Sequence, residues 1–528
     1  MRRREPPPPP AGGPMTRRRK LAESKPPAED TISNLPDAVL GEIISLLPTK
    51  DGARTQILAS RWRHLWRSAP LNLDCRGLKH GDELAGALSR IISSHQGPCR
   101  RLCIHADLLD APSTTVDSLL RSDALGNLQE LEFSCFEQPP PASIFRFSLT
   151  LRVVTIGCCN LPDSTVQGIH FPLLKQLGLE FVCISECSLH SLIAGCPTLE
   201  SLLIHRSFGF LCIRINSLSL RSVGLDSYAV SRNNKVPLQL HELIIDNAPC
   251  LERLLLLHQE TGLDISVIEA PKLETIGFLS DGYYECSQDQ LYRLAFGSTV
   301  ILGLHVDNLA MVVRTVKIVA VRMRNLCLDA VIGLLACFPC LEKLYIKART
   351  SESSNAWRRK HRNLINCLDI RLKTIVLKSY RGIKSQVNFV SFFLLNARML
   401  ESMTLQVETS YYNDEFLVEQ RRKLQLQDRV SRGLEETCDD DKVDAMLDHI
   451  ANKYHIVVNL TVIRATDPRP SYLNSCYVYE KQVPLSQIGE KPVYEVNHFG
   501  VLFRSPEKCK EQKQPEPLRF FSTQQNTN

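Results

Sequence analysis

An apolar-x-x-apolar-x-apolar triplet returns along the middle of the chain. Leu128-Leu131-Phe133, Leu151-Val154-Ile156, Leu174-Leu177-Leu179, Leu199-Leu202-Ile204 and Leu220-Val223-Leu225 begin 23, 23, 25 and 21 residues apart. A strand this short, apolar along one face, cannot build a core alone, but stacked copies complete one another's. The spacing predicts an elongated solenoid over about residues 100–407. The series continues at Leu251, Leu273, Leu341, Leu372 and Leu400 and becomes irregular, with gaps near 30 residues. The element Leu240-Leu243-Ile245 lies only 11 residues before the next, too close for a full turn. Several strands follow a proline, as in Cys196-Pro197-Thr198-Leu199-Glu200 and Phe338-Pro339-Cys340-Leu341-Glu342, where its fixed backbone costs no ladder hydrogen bond. No asparagine recurs at a fixed offset, so the turns must be satisfied in another way and the curvature is expected to be irregular.

Side chains alternate along a strand, so residues between the inward apolar pair face the other side. Glu130, Glu132, Gln176, Glu180, Ser201, His205, Lys343, Tyr345, Lys347 and Lys378 hold such positions and drift from acidic to basic along the chain. Together they are a candidate surface for a protein target. Each one singly is also what a solvated strand face would carry.

Ahead of the repeats, residues 33–67 read as short helices. Pro36 and Asp37 can open the first, with Leu40, Ile43, Ile44 and Leu47 at helical spacing before Pro48 stops it. Thr49 is a suitable cap for a second. A third from about Leu58 would place Leu58, Trp62, Leu65 and Trp66 on one face, with Arg61, Arg63 and Arg67 turned away. Three helices this short expose more apolar surface than they can bury, so they need a partner or the following domain.

Leu35-Pro36-Asp37, Leu47-Pro48-Thr49-Lys50-Asp51, Arg54-Thr55, Arg61-Trp62-Arg63, Leu65-Trp66 and Pro70-Leu71-Asn72-Leu73-Asp74 together resemble a plant F-box. The resemblance implies that residues 31–77 insert apolar helices into a Skp-type adaptor, itself joined to a cullin ubiquitin ligase. By it, Leu35, Pro36, Leu40, Ile43, Leu47, Pro48, Leu58 and Trp62 are the expected adaptor contacts, with Trp62 and Trp66 alternatively packing on the first repeat. The repeats, over 100–368, resemble the leucine-rich repeats that follow plant F-boxes. Residues 369–433 resemble the FBD module, with a helical tail from Phe416 to Gly433. Residues 434–528 depart from that pattern. An acidic linker there precedes a helical stretch, Val443–Lys453, and strand-like stretches, Tyr454–Arg464 and Tyr494–Phe503, in the manner of a small α+β appendage. The fold class expected is therefore α/β: a three-helix F-box, an irregular leucine-rich-repeat solenoid, an FBD module and this appendage.

Composition narrows the function. The 63 basic and 57 acidic residues nearly balance, and part of the excess lies in the first twenty, so no nucleic-acid footprint is expected. Residues 1–30 read as a disordered, Pro-rich basic tail whose Arg17-Arg18-Arg19-Lys20 cluster could serve nuclear import, and they lack the apolar core of a secretion signal. The most apolar region, Val300–Val321, is broken by His305, Asp307, Arg314 and Lys317, so no membrane span is expected. Nineteen scattered cysteines in apolar segments suit packing in a reducing compartment, and a cytoplasmic or nuclear location follows. Cys337-x-x-Cys340 has no second pair at ligand spacing and reads as packing at a loop, so no metal or cofactor is expected. No nucleotide loop, nucleophile elbow or metalloprotease motif is present, and the chain is expected not to be an enzyme. Two other readings stay open: a plain interaction scaffold capped by the N-terminal helices, and a thiol enzyme that carries ubiquitin directly.

Overall fold

The computed structural model describes residues 32–424, except 33, 79–81, 110–112, 137, 227–237, 258–261, 282–290, 349–368 and 408–413, together with the two short strands Tyr494–Val496 and Leu502–Arg504. The expected basic tail, the acidic linker, the helical stretch at 443–453 and the strand at 454–464 lie outside the described residues. The two short strands pair antiparallel as a hairpin.

Three helices open the described chain: α1 (Asp37–Ser45), α2 (Thr49–Arg54) and α3 (Ser60–Ser68). Pro36 and Pro48 precede the first two in extended backbone, as proline's fixed φ favours. Thr49 does not cap α2. Its hydroxyl donates to Asn72 O at 3.2 Å and accepts the Asp74 N–H at 2.8 Å, tying the helix to the strand that follows. Helix α3 begins at Ser60, so Leu58 precedes it and stands in solvent.

That following strand, Leu71–Asp74, is the first of a sheet of 13. Every neighbouring pair in the sheet is parallel. One apolar side chain per strand lines up across it: Leu73, Leu102, Leu131, Val154, Leu177 and Leu202, then Val223, Leu254, Ile276, Val319, Leu344, Ile375 and Met403. All are buried in one continuous core. Parallel pairing requires a crossover after each strand, and the return segments supply the layer that covers this row. The sequence triplets had marked most of these strands. Cys99–His105 and Ile318–Met323 were not among them, and the second fills the long gap between the triplets at Leu273 and Leu341.

The return layer changes character along the chain. Helices serve early and late, such as Glu186–Ala194 and Leu328–Cys337, whereas the middle returns form a six-stranded sheet. Its strands Cys212–Asn216, Glu242–Asn247, Asp264–Val267 and Arg293–Phe296 are parallel, and Thr299–Leu302 and His305–Asn308 add antiparallel. This explains the misfit at Leu240-Leu243-Ile245: it is the return strand of its repeat, and the triplet 11 residues on is the next strand of the main sheet.

Just before the main-sheet strands runs a ladder of ion pairs between adjacent repeats: Lys175 with Glu200 at 2.8 Å, Arg221 with Glu252 at 2.6 Å, Lys317 with Glu274 at 2.7 Å and Lys373 with Glu342 at 3.0 Å. Exposed pairs contribute little each, and their alternation favours one register over a slipped one. The turns that lack an asparagine are closed otherwise. Cys158, Phe181 and Arg206 adopt φ of 52°, 55° and 49° directly after successive strands, and each donates its N–H to the carbonyl one repeat on. At one of them Ser207 stands in for the asparagine, accepting the Val182 N–H at 3.1 Å and donating to Leu179 O at 3.1 Å.

At the far end, Thr374–Tyr380 and Ser402–Val407 are the last two strands, with helix Lys384–Asn396 between them. Helix Asp414–Leu424 closes over them: Tyr380 Oη donates to Gln420 Oε1 at 3.0 Å and Phe416 meets the Tyr380 ring edge-on. Gly382, at φ 65°, is where Gln420 comes close, and a Cβ there would lie 2.3 Å from Gln420 Nε2.

The aligned row makes a direct prediction. Leu202→Ala should cost about 2–5 kcal/mol, whereas Ser201→Ala, one residue away on the open face, should stay within about 0.5 kcal/mol. Urea unfolding of both variants checks this, and equal losses would show that the row is not the main source of cohesion.

Candidate functional site

Helix α1 carries two apolar stripes. Leu40 and Ile44 turn inward and meet Leu65 of α3 in a small core, with Leu35, Trp62 and Trp66 packed around it. Val39, Ile43, Leu46 and Leu47 turn outward, and Ile57 and Leu58, between α2 and α3, are exposed as well. Leu46, Ile57 and Leu58 are 77%, 83% and 65% exposed. The residues singled out from sequence therefore fall into three positions. Ile43, Leu47, Leu58, Pro36 and Pro48 are exposed, Leu35 and Trp62 are half-buried, and Leu40 has no exposed surface. Val39, Leu46 and Ile57 lie outside the single stripe that sequence spacing draws through Leu40, Ile43, Ile44 and Leu47. The signal was present as Val39, Ile43 and Leu46 at i, i+4 and i+7.

The helices are fastened to the repeats. Asn72 Nδ2 donates to Ser45 O at 2.7 Å, and Arg100 reaches Ser45 Oγ at 2.9 Å and Glu42 Oε2 at 3.0 Å. Gln96 and Gly97 N–H groups both donate to Arg67 O, while His95 Nε2 lies 2.8 Å from Ala69 O. Trp66 packs on the small helical core and on the large repeat core, edge-on to His95 at 5.6 Å. It fits because Gly52 has no side chain: a Cβ there would come within 2.6 Å of the indole. Of the two tryptophans, Trp66 is the one that reaches the first repeat.

The second surface is the open face of the 13-stranded sheet. Pairing arranges its side chains in three rows across the strands. The first contains Glu130, Gln176, Ser201 and Lys343, and the second Glu132 and Tyr345. The third contains Glu180 and His205, and further along Lys347 and Lys378. All ten candidate target contacts lie on this face, half-buried.

Its acidic end is less acidic than the sequence suggested. Arg76, in the turn after the first strand, and Arg101, on strand Cys99–His105, bind Glu132 at 3.1 Å and 3.4 Å, and Arg101 also reaches Glu130 at 3.8 Å. The middle is apolar, with Leu203 and Leu255 lying against Gly224 and Gly277, where a Cβ would crowd the leucine at 3.1 Å and 2.9 Å. Around it Arg206 lies over the Phe181 ring at 5.7 Å and Arg322 over the Phe278 ring at 5.4 Å. His205 meets the wholly buried Asp226 at 3.1 Å, with Arg206 on the same carboxylate at 3.4 Å. The late end is basic through Lys343, Lys347 and Lys378.

Burial raises several thiols: Cys99, Cys196 and Cys337 are each pushed up to about 12, far from the thiolate that a nucleophile requires. Cys337 is the buried end of a helix, and Cys340 follows in the turn. Among the described residues no helix is long and apolar enough to cross a membrane.

A helical module fused to a parallel repeat solenoid defines the class of protein, and comparison with known families gives the name of the class. A model of the F-box domain matches residues 32–74, one of the leucine-rich repeats of the FBD-associated F-box protein At5g56370 matches 116–346, and the FBD model matches 360–405. The chain carries F-box, leucine-rich-repeat and FBD domains in this order, and its homologues are F-box/FBD/LRR-repeat proteins. Among its relatives in Arabidopsis thaliana, putative F-box/FBD/LRR-repeat protein At5g22610 is 33% identical over 38% of this chain and 43% of its own length. FBD-associated F-box protein At5g22730 is 31% identical over 38% of this chain and 44% of its own length. F-box/FBD/LRR-repeat protein At3g26920 is 27% identical over 72% of this chain and 90% of its own length. The match thus spans under half of the first two relatives and most of the third.

One open-face carboxyl titrates near neutrality. Burial pushes Glu180 up to about 7, with Glu132 adding to the rise and His205 opposing it. A carboxyl raised in the folded state stabilises the fold when protonated, and that contribution is lost as pH climbs through 7. Glu180→Gln should therefore match the parent in stability near pH 4, below the carboxyl's ordinary 4.5, and exceed it increasingly from there to pH 8. Urea midpoints across that range are the check, and a constant difference at all pH values would contradict the assignment.

Proposed function

We propose that this chain is the substrate-recognition subunit of a Skp-cullin-F-box ubiquitin ligase. It docks a Skp-type adaptor through α1 to α3 and presents a protein target on the open face of the repeat sheet. The observation that carries the reading is the outward stripe of Val39, Ile43, Leu46, Ile57 and Leu58. An exposed apolar patch this dense on so small a unit marks an interface. A plain cap for the solenoid would need only the inward stripe and Trp66, so the outward stripe favours docking over capping.

Within this reading Ile43, Leu47, Pro48 and Leu58 touch the adaptor directly, together with Pro36 and the exposed edges of Leu35 and Trp62. Leu40 acts from within, holding α1 against α3 so that the outward stripe keeps its shape. Glu130, Glu132, Gln176, Glu180 and His205 would meet one part of the target, and Lys343, Tyr345, Lys347 and Lys378 another of opposite charge. The chain contributes position and not bond chemistry: a target lysine held near a charged ubiquitin reacts at raised effective concentration.

Substituting the stripe tests this without disturbing the core. Ile43→Asp with Leu46→Asp should weaken binding of a purified Skp adaptor by at least about thirtyfold, the loss expected of interface hot spots. Leu149→Asp, equally exposed on the repeats, should leave it unchanged. Calorimetric affinities that stay equal in all three proteins would sink the docking proposal.

A further inference from the structure

The start of the open face holds a donor set that the sequence does not reveal, because its members come from two strands. Cys103 and Glu132 are directly opposite one another in the sheet, and His105 lies two residues beyond Cys103 on the same face. Cys103 Sγ is 3.6 Å from His105 Nε2, and His105 Nε2 is 3.7 Å from Glu132 Oε1. The three donor atoms all fall within 4.8 Å of one another. A tetrahedral zinc ion with a sulfur ligand near 2.3 Å and a nitrogen ligand near 2.0–2.1 Å separates those two atoms by about 3.5 Å.

We propose that Cys103, His105 and Glu132 form a site for a thiolate-binding divalent cation of the zinc type. The surrounding groups have the arrangement such a site requires. His105 Nδ1 lies 2.5 Å from Ser134 Oγ, which fixes the ring and leaves Nε2 for the metal, as an outer-shell partner does in metal sites. The Cys75 thiol hydrogen-bonds that of Cys103 and accepts the His105 N–H at 3.3 Å, so the sulfur pair is already in polar contact. Cys103, though buried, points away from the main core, which none of its atoms joins.

Charge also balances. Asp74, Glu130 and Glu132 face Arg76 and Arg101, leaving one negative charge in the cluster. Binding releases the Cys103 proton to solvent, and the thiolate so formed adds a second negative charge. A divalent cation neutralises both. Arg76 is held by both oxygens of Asp74 and also donates to Glu132 Oε1 at 3.1 Å, so that oxygen accepts one guanidinium N–H and offers its second lone pair to the metal. Sulfur with imidazole and one carboxylate selects zinc or cobalt over magnesium or calcium. Three protein ligands leave a fourth position toward the open face, where His105 and Glu132 are partly exposed, for water.

Cobalt titration of the full chain, freed of metal by a chelator and kept reduced with a phosphine, reads the site directly. One equivalent of Co²⁺ should produce a thiolate-to-cobalt charge-transfer absorption and the visible bands of tetrahedral cobalt, and Zn²⁺ should bleach both. Cys103→Ser and His105→Gln should each lose the one-equivalent absorption while retaining the circular dichroism of the metal-free parent. Cys187→Ser, at an exposed cysteine elsewhere, should keep it. Absorption that survives in His105→Gln, or that fails to develop in the parent, would overturn the proposal.

Discussion

The row of apolar side chains from Leu73 to Met403 is the interaction on which everything else rests. Each strand contributes one member, and no strand can bury its own without the strands on either side. Register follows from that requirement, since a slip by one residue would turn the row out to solvent and bring the polar open face inward. Once register is fixed, the rows of the open face are fixed too. That is why residues as far apart in sequence as Glu130 and Lys343 can belong to one surface.

The same row fastens the docking helices. Leu71–Asp74 is at once the end of the helical module and the first strand of the sheet, so the module enters the stack as its first repeat. Thr49 and Asn72 then hold α2 and α1 to that strand, Arg100 ties α1 to the next one, and Trp66 shares itself between the two cores. Under the proposed function, a swinging module would scatter the distance between adaptor and target, and the gain in effective concentration would shrink with it. The fastening has a definite functional consequence: the two surfaces sit at a set distance.

Much of this was legible because it depends on local period. The 21 to 25 residue spacing revealed the main-sheet strands, and the proline and Arg-Trp pieces revealed the helices. What escaped was decided across repeats. The Leu240-Leu243-Ile245 strand has the same local pattern as a main-sheet strand, and only its neighbours assign it to the return sheet. In α1 the apolar residues Val39, Leu40, Ile43, Ile44, Leu46 and Leu47 satisfy more than one helical stripe, so packing against Leu65 decides which pair turns inward. Arg76 and Arg101 likewise precede the first triplet at Leu128, and their contacts with Glu130 and Glu132 are made across repeats, which local period does not show.

The central claim is that the exposed helical stripe and the open face of the sheet ride on one rigid frame. Pulsed electron resonance between spin labels introduced as unnatural amino acids at Arg63, exposed on α3 outside the stripe, and at Lys343 tests it most directly. The account predicts one narrow distance distribution that adaptor binding leaves unchanged and that Trp66→Ala broadens. A broad distribution in the parent chain, narrowed only when the adaptor binds, would contradict it.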